Sequence, residues 1–261
     1  MLLSGMFAST AARADSFSEL VVFGDSLSDN GNAGRFTNGS VWVEDLAEHF
    51  GLALRPSRAG GTNHAVGGAR AAGGPNELRA QVRAYLAGRR GKAQPRTLYV
   101  VWAGGNDLLA AGLAADPDAV GPGAAAAMGE AVNALAAAGA RTLLVPNLPD
   151  VGMTPALQAF GSAAAAAARR WTYAYDDALA LELDRVAAQH RVAILRLDVR
   201  TLAERMLADP GAAGFSNLTE PCQGRPSCKG ALFWDLVHPT AQAHARLAAA
   251  ALEAIEAAAP G

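Results

Sequence analysis

Long apolar runs, surplus charge and cysteine are all scarce in this chain, and each scarcity removes a class of function. No stretch reaches the roughly 18 apolar residues of a membrane span once the Gly and polar breaks are counted. Charge nearly balances, with 22 Lys and Arg against 24 Asp and Glu, a net charge of −2 and a pI near 6.2. The basic footprint that nucleic acid requires is therefore missing. No repeat at a solenoid period is visible, and the pentapeptide G-x-S-x-G of one hydrolase turn occurs nowhere. The two cysteines, Cys222 and Cys228, stand six positions apart in a Gly- and Pro-rich loop over residues 221–230. They suit a small disulfide loop in an oxidising compartment, with two free thiols as the alternative. A zinc site fits poorly, because no other ligand cluster lies near them.

What is present is ample chain, 261 residues that are 51% hydrophobic, enough to bury a sizeable core. The Ala and Gly bias reads as helix-favouring rather than low-complexity, because hydrophobic positions continue through it. Short apolar runs at residues 20–23, 97–102, 141–146 and 192–197 predict strands, and a weaker strand leads into Asn63. Helical patterns run near residues 41–50, 76–88, 123–138, 162–190 and 239–258. This alternation predicts an α/β fold with a parallel sheet covered on both faces, as one domain over residues 15–261. Residues 2–12 are small and apolar, and Ala12-Arg13-Ala14 before Asp15 fits a small-x-small cleavage site. Residues 1–14 thus read as an export signal that lacks its charged leader, with a disordered tail as the plain alternative. The export reading places the protein outside the cytoplasm, secreted or periplasmic.

Four motifs carry chemistry, and each has an ordinary structural reading beside it. Residues 22–32 run from a buried strand into Gly24-Asp25-Ser26-Leu27-Ser28-Asp29-Asn30-Gly31-Asn32, a turn that can lift Ser26 above the sheet beside backbone N–H groups. The same residues also suit a plain turn. Asn63-His64-Ala65-Val66-Gly67-Gly68 allows a bend that aims a backbone N–H at an oxygen, or is simply a Gly-rich turn. Gly104-Gly105-Asn106-Asp107 follows a strong strand and offers an amide donor, or a helix N-cap. Asp235-Leu236-Val237-His238-Pro239 sets a carboxylate three residues before an imidazole, as an orienting pair or as a helix cap with a surface His. His49, His190 and His244 fall in helical patterns and read as structural or exposed, and nothing pairs His64 with a carboxylate.

In this order and spacing the motifs resemble the GDSL family of SGNH hydrolases, over essentially everything after residue 18. Residues 23–32 and Val145-Pro146-Asn147-Leu148-Pro149-Asp150 resemble the branch of secreted lipases, lecithinase-type phospholipases and plant GDSL esterases. The resemblance implies a three-layer α/β/α sandwich of flavodoxin type with about five parallel strands. It implies Ser26 as nucleophile, His238 as general base and acid, and Asp235 as its orienting partner. The oxyanion hole it implies comprises the Ser26 N–H, the Gly68 N–H and the Asn106 side chain, with Gly67 as the one-residue alternative to Gly68. No metal or organic cofactor follows from it.

The expected activity is hydrolysis of a small-molecule or lipid ester through an acyl-enzyme. The alternatives are an acyltransferase with a sterol or sugar acceptor and an inactive binding module that kept the fold. No membrane span is expected, only transient contact with a lipid surface. Loops after Gly31, over residues 108–122 and over 208–231 should shape the pocket. Phe36, Leu108, Leu109, Phe215 and Phe233 there favour an acyl chain over a sugar, although Phe233 suits a core position equally well.

Overall fold

Four parallel strands form the centre of the computed structural model, which describes residues 17–112 and 116–258. The expected signal segment, residues 1–14, lies outside the described residues. The strands are β1 (Glu19–Gly24), β2 (Thr97–Trp102), β3 (Thr142–Pro146) and β4 (Ala193–Leu197), in the order β1-β2-β3-β4. Val21 stands beside Tyr99, Val100 beside Leu144, and Leu144 beside Leu195. β1 and β2 are apolar almost throughout and, apart from Glu19 at the start of β1, completely buried, as a parallel sheet with helices on both faces demands. The predicted strand at Asn63 contracts to single bridges from Asn63 to Val22 and Pro56. The segment still bonds along β1, with Val22 N–H donating to Thr62 O and His64 N–H to Val22 O. Its outer side turns back at once, because Asn63 N–H donates to Arg55 O and the Gly61 α-carbon lies too close to Arg55 O for any side chain.

The helices are α1 (Trp42–His49), α2 (Leu78–Gly88), α3 (Gly105–Ala111), α4 (Pro117–Ala137), α5 (Pro155–Ala159), α6 (Ser162–Gln189), α7 (Val199–Ala208), α8 (Pro210–Ala213) and α9 (Ala241–Ala257). α6 buries Ala168, Trp171, Thr172, Tyr175, Leu179, Leu183 and Val186, the three- and four-residue spacing of one apolar face. α4 lies against it, and Gly121 permits the contact: a side chain there would meet Tyr175 N at 2.9 Å. Of the segment 108–122, expected as a loop, residues 108–111 and 117–122 are helix, with Pro122 inside α4. The last helix begins at Ala241 rather than Pro239, capped by Thr240, whose Oγ1 accepts from Ala243 N–H. One main core joins the sheet to α1, α2, α4, α6 and α9. A smaller second core of Phe215, Leu232, Phe233 and Ala243 sits under the loop before α9. Among the described residues no helix is long and apolar enough to cross a membrane.

Candidate active site

β1 ends at Gly24, where only glycine fits: a β-carbon would stand 2.2 Å from Trp102 O on β2. The chain then turns sharply, with Ser28 and Asp29 N–H both donating to Asp25 O. This turn raises Ser26 beyond the carboxyl end of the sheet, where ligands of open α/β folds bind. Asp29, fully buried, holds it there. Its Oδ1 accepts from Gly31 N–H at 2.8 Å and Asn32 N–H at 2.6 Å. Its Oδ2 accepts from Ala33 N–H at 2.9 Å and Gly67 N–H at 2.8 Å. Asn32 extends the network by donating to Asn63 O and Ala65 O.

That network bears on the choice between the two glycines. The Gly67 N–H is spent on Asp29, whereas Gly68, at φ +78° and exposed, has open space around its α-carbon. Asn106, in the first turn of α3, donates an amide hydrogen to Ala69 O at 3.0 Å and lines the cavity beside Ser26. Asp107 is no helix cap, because its carboxylate accepts from Ala71 and Ala72 N–H and clamps the segment after Gly68.

The imidazole arrives from the far end of the chain, 212 residues after the serine. His238 Nε2 lies 2.9 Å from Ser26 Oγ, and His238 Nδ1 lies 2.7 Å from Asp235 Oδ2. The other carboxylate oxygen accepts from Val237 and His238 N–H, so the turn fixes both ring and partner. Trp234 N–H donates to His238 O, and Cys222 N–H reaches Phe233 O and Trp234 O. Cys222 and Cys228 are disulfide-bonded. The Phe36 ring rests on the imidazole with centroids 5.1 Å apart and fills the space over Gly67. Serine, imidazole and carboxylate in this line can pass the Oγ proton to Nε2 while the carboxylate stabilises the imidazolium.

Ser26, Asn106 and His238 open on a cavity of about 160 Å³ whose walls are mostly apolar. Leu108, Leu109 and Phe233 line it, in keeping with an apolar site, while Phe36 packs on His238 and Phe215 belongs to the second core. Two buried titratable groups flank the line of three. Burial pushes the Asp25 carboxyl up to about 7, against the Leu27 N–H that favours its charged form, and Asp107 adds to the rise. Burial pulls the His244 imidazole down to about 3, and neighbouring His238 adds to the fall. His244 is not exposed, as its helical setting allowed, but 1% accessible, lining the cavity with Nδ1 unpartnered. His49 packs edge-on against Phe50, and His190 bonds Asn133, both away from the site. The sequence reading missed His244, the grip of Asp29 and the place of Phe36 over the imidazole. For Asp29 the available signal was local: three of its four N–H donors, on Gly31, Asn32 and Ala33, lie two to four residues after it, while the fourth, on Gly67, is 38 residues on.

Comparison with known proteins gives the family and the fold. Lipase 1 of Photorhabdus luminescens is 41% identical over 163 residues, covering 58% of this chain and 25% of that protein. The chain thus spans a quarter of that relative's length. The phosphatidylcholine-sterol acyltransferase of Aeromonas hydrophila is 30% identical over 330 aligned positions, covering 97% of this chain and 96% of its own. A crystal structure from the lipolytic G-D-S-L family of Veillonella parvula shares the fold, with a TM-score of 0.51 at 14% identity over 90% of this chain and 96% of that one. The GDSL-like Lipase/Acylhydrolase family model matches residues 20–251, and the chain belongs to that family.

Proposed function

We propose that the chain is a serine carboxylic-ester hydrolase working through an acyl-enzyme on Ser26. The observation that carries this reading is the hydrogen-bonded line Ser26–His238–Asp235 opening on an apolar cavity beside Asn106. His238 removes the Ser26 proton, the alkoxide attacks the ester carbonyl, and the tetrahedral oxyanion takes N–H groups from Ser26, Gly68 and Asn106. His238 then protonates the leaving alcohol and activates the water that releases the acid. Gly68 is preferred to Gly67 because the Gly67 N–H is already held by Asp29. The family, the disulfide and the cleavage-like Ala12-Arg13-Ala14 support a protein exported as one domain over residues 15–261.

A second reading has a specific observation behind it. The Aeromonas relative that aligns over nearly both full lengths is named an acyltransferase, and an alcohol such as a sterol replaces water in the same second step. The test is turnover of p-nitrophenyl esters from acetyl to palmitoyl by wild type and Ser26→Ala, with products analysed in the presence and absence of an added sterol. Hydrolysis that vanishes in the folded variant supports the hydrolase, and a sterol ester in place of free acid supports the transferase. Activity surviving in Ser26→Ala moves the nucleophile elsewhere. Loss of the Asn106 amide should cost about 3–4 kcal/mol of transition-state stabilisation, so Asn106→Ala should fall at least about 100-fold in kcat.

A further inference from the structure

α7 runs straight off β4 and is capped by Asp198, whose carboxylate accepts from Thr201 N–H and Oγ1. Its apolar residues Val199, Leu202, Ala203 and Met206 recur at the spacing of one helix face. All four line the cavity beside Ser26. Leu202 and Met206 are half-buried, packed at the edges of the main and the second core respectively while also lining the cavity. The opposite face, with Glu204 and Arg205, is exposed.

The cavity offers little to a polar substrate. Asp150 lines it, but its carboxylate is held by Arg169 and Gly152 N–H. Thr154 lines it too, and its hydroxyl donates to Val151 O and accepts from Leu157 N–H. A sugar hydroxyl would exchange water for walls whose polar atoms are mostly taken, a costly burial. A methylene chain extends from an ester on Ser26 into this space without that penalty.

We infer that α7 is the wall that reads the acyl chain, so that the enzyme prefers medium-length alkanoyl esters to acetyl esters. The inference rests on the proposed acyl-enzyme and adds the substrate class of its acyl half. Each methylene withdrawn from water favours the bound state about 4-fold.

The experiment measures kcat/KM for p-nitrophenyl acetate, butyrate, hexanoate and octanoate, and separately the binding of decanoate to folded Ser26→Ala protein. Wild type should gain at least about 10-fold from acetate to octanoate. Ala203→Phe, which fills the cavity from α7, should lower the octanoate-to-acetate ratio at least 10-fold and weaken decanoate binding in the Ser26→Ala background. Leu202→Ala, which opens the cavity instead, should move the preferred length upward. It keeps the test alive if the larger side chain does not fold. Arg205→Ala on the outer face should change neither ratio nor rate. Esters cleaved with a flat or acetyl-peaked profile, or a ratio unmoved by both cavity variants, overturn the inference and leave the hydrolase standing. Decanoate bound in a cavity sensitive to Ala203→Phe, with no ester cleaved, supports the role of α7 and overturns the hydrolase.

Discussion

The two halves of the site are built by opposite means. The serine half grows out of β1 on the main core, and buried polar bonds set its shape: Asp29 alone accepts four backbone N–H groups. The histidine half hangs on a loop over a second, smaller core, tied by a disulfide and a few backbone bonds. The halves meet at Ser26 Oγ and His238 Nε2 and along residues 36–38, where the Phe36 ring lies on the imidazole, Thr37 Oγ1 donates to Pro239 O and Asn38 Oδ1 accepts from Ala241 N–H. A nucleophile and its oxyanion donors need fixed geometry before the substrate arrives, and a rigid sheet end provides it. The base has to accept, turn over and release a proton, and a short tether suffices for that. The halves should therefore fail differently when disturbed.

The largest effect is expected where the serine half depends on a single side chain. Asp29→Ala takes the acceptor from four backbone N–H groups, of which that of Asn32 is buried and the other three are part-buried, and a buried donor left unpaired costs about 1–3 kcal/mol. Urea unfolding of the variant should show at least about 2 kcal/mol of lost stability, a large share of what a native domain has. A variant within about 1 kcal/mol of wild type would mean that water replaces the carboxylate cheaply and that the halves are less unlike than they look.

The halves should also respond to pH with opposite sign. Buried His244 titrates near 3 in the fold and near 6.5 when unfolded. Between those values the unfolded chain takes the proton the fold refuses, so this group removes stability as pH falls from 6.5 toward 3. Buried Asp25 titrates near 7 in the fold and 3.8 when unfolded. There the fold keeps the proton that the unfolded chain gives up, so this group removes stability as pH rises from 3.8 toward 7. In the overlap the two nearly cancel. His244→Leu should unmask the Asp25 slope and Asp25→Asn the His244 slope, each changing the dependence by about 1.4 kcal/mol per pH unit, in opposite directions. Unfolding free energies at pH 4.5, 5.25 and 6 read both. Slopes that move together would put the responsible groups elsewhere.

The same division explains what could be read from the sequence. Ser26, Asn106 and the Gly67-Gly68 turn each follow a strong apolar strand or the segment beside one, so the pattern that predicts the strand also predicts what stands at its end. Asp235 and His238 are three apart, and their pairing is local. What stayed hidden depends on contacts between distant segments. His244 sits in an Ala-rich helix, and its burial comes from a cavity whose walls are drawn from β2 to α9. Phe36 showed itself as an apolar loop residue, but only folding brings it over an imidazole 202 positions on. α7 carries its spacing openly, yet its apolar face meets a cavity, and strand 192–197 left no turn signal before it. Residues 108–122 were expected as a pocket-shaping loop. There the close contact of Gly121 with α6 is a packing demand that no local pattern carries.

The smallest effect should come from the histidine half, and its form is more informative than its size. Closing a loop of this length contributes about 2 kcal/mol, and here the constraint acts where Cys222 and Gln223 N–H meet Trp234 O, one bond from His238 O. In the Cys222→Ser, Cys228→Ser double variant that loop should loosen while the sheet, which shares none of these bonds, keeps its structure. Ester turnover should then disappear at a lower urea concentration than the far-UV circular dichroism, whereas in wild type the two losses should coincide. If the two curves of the variant shift together instead, the small core and the sheet unfold as one cooperative unit. The difference between the halves would then lie in how they are built, with no difference in how firmly they are held.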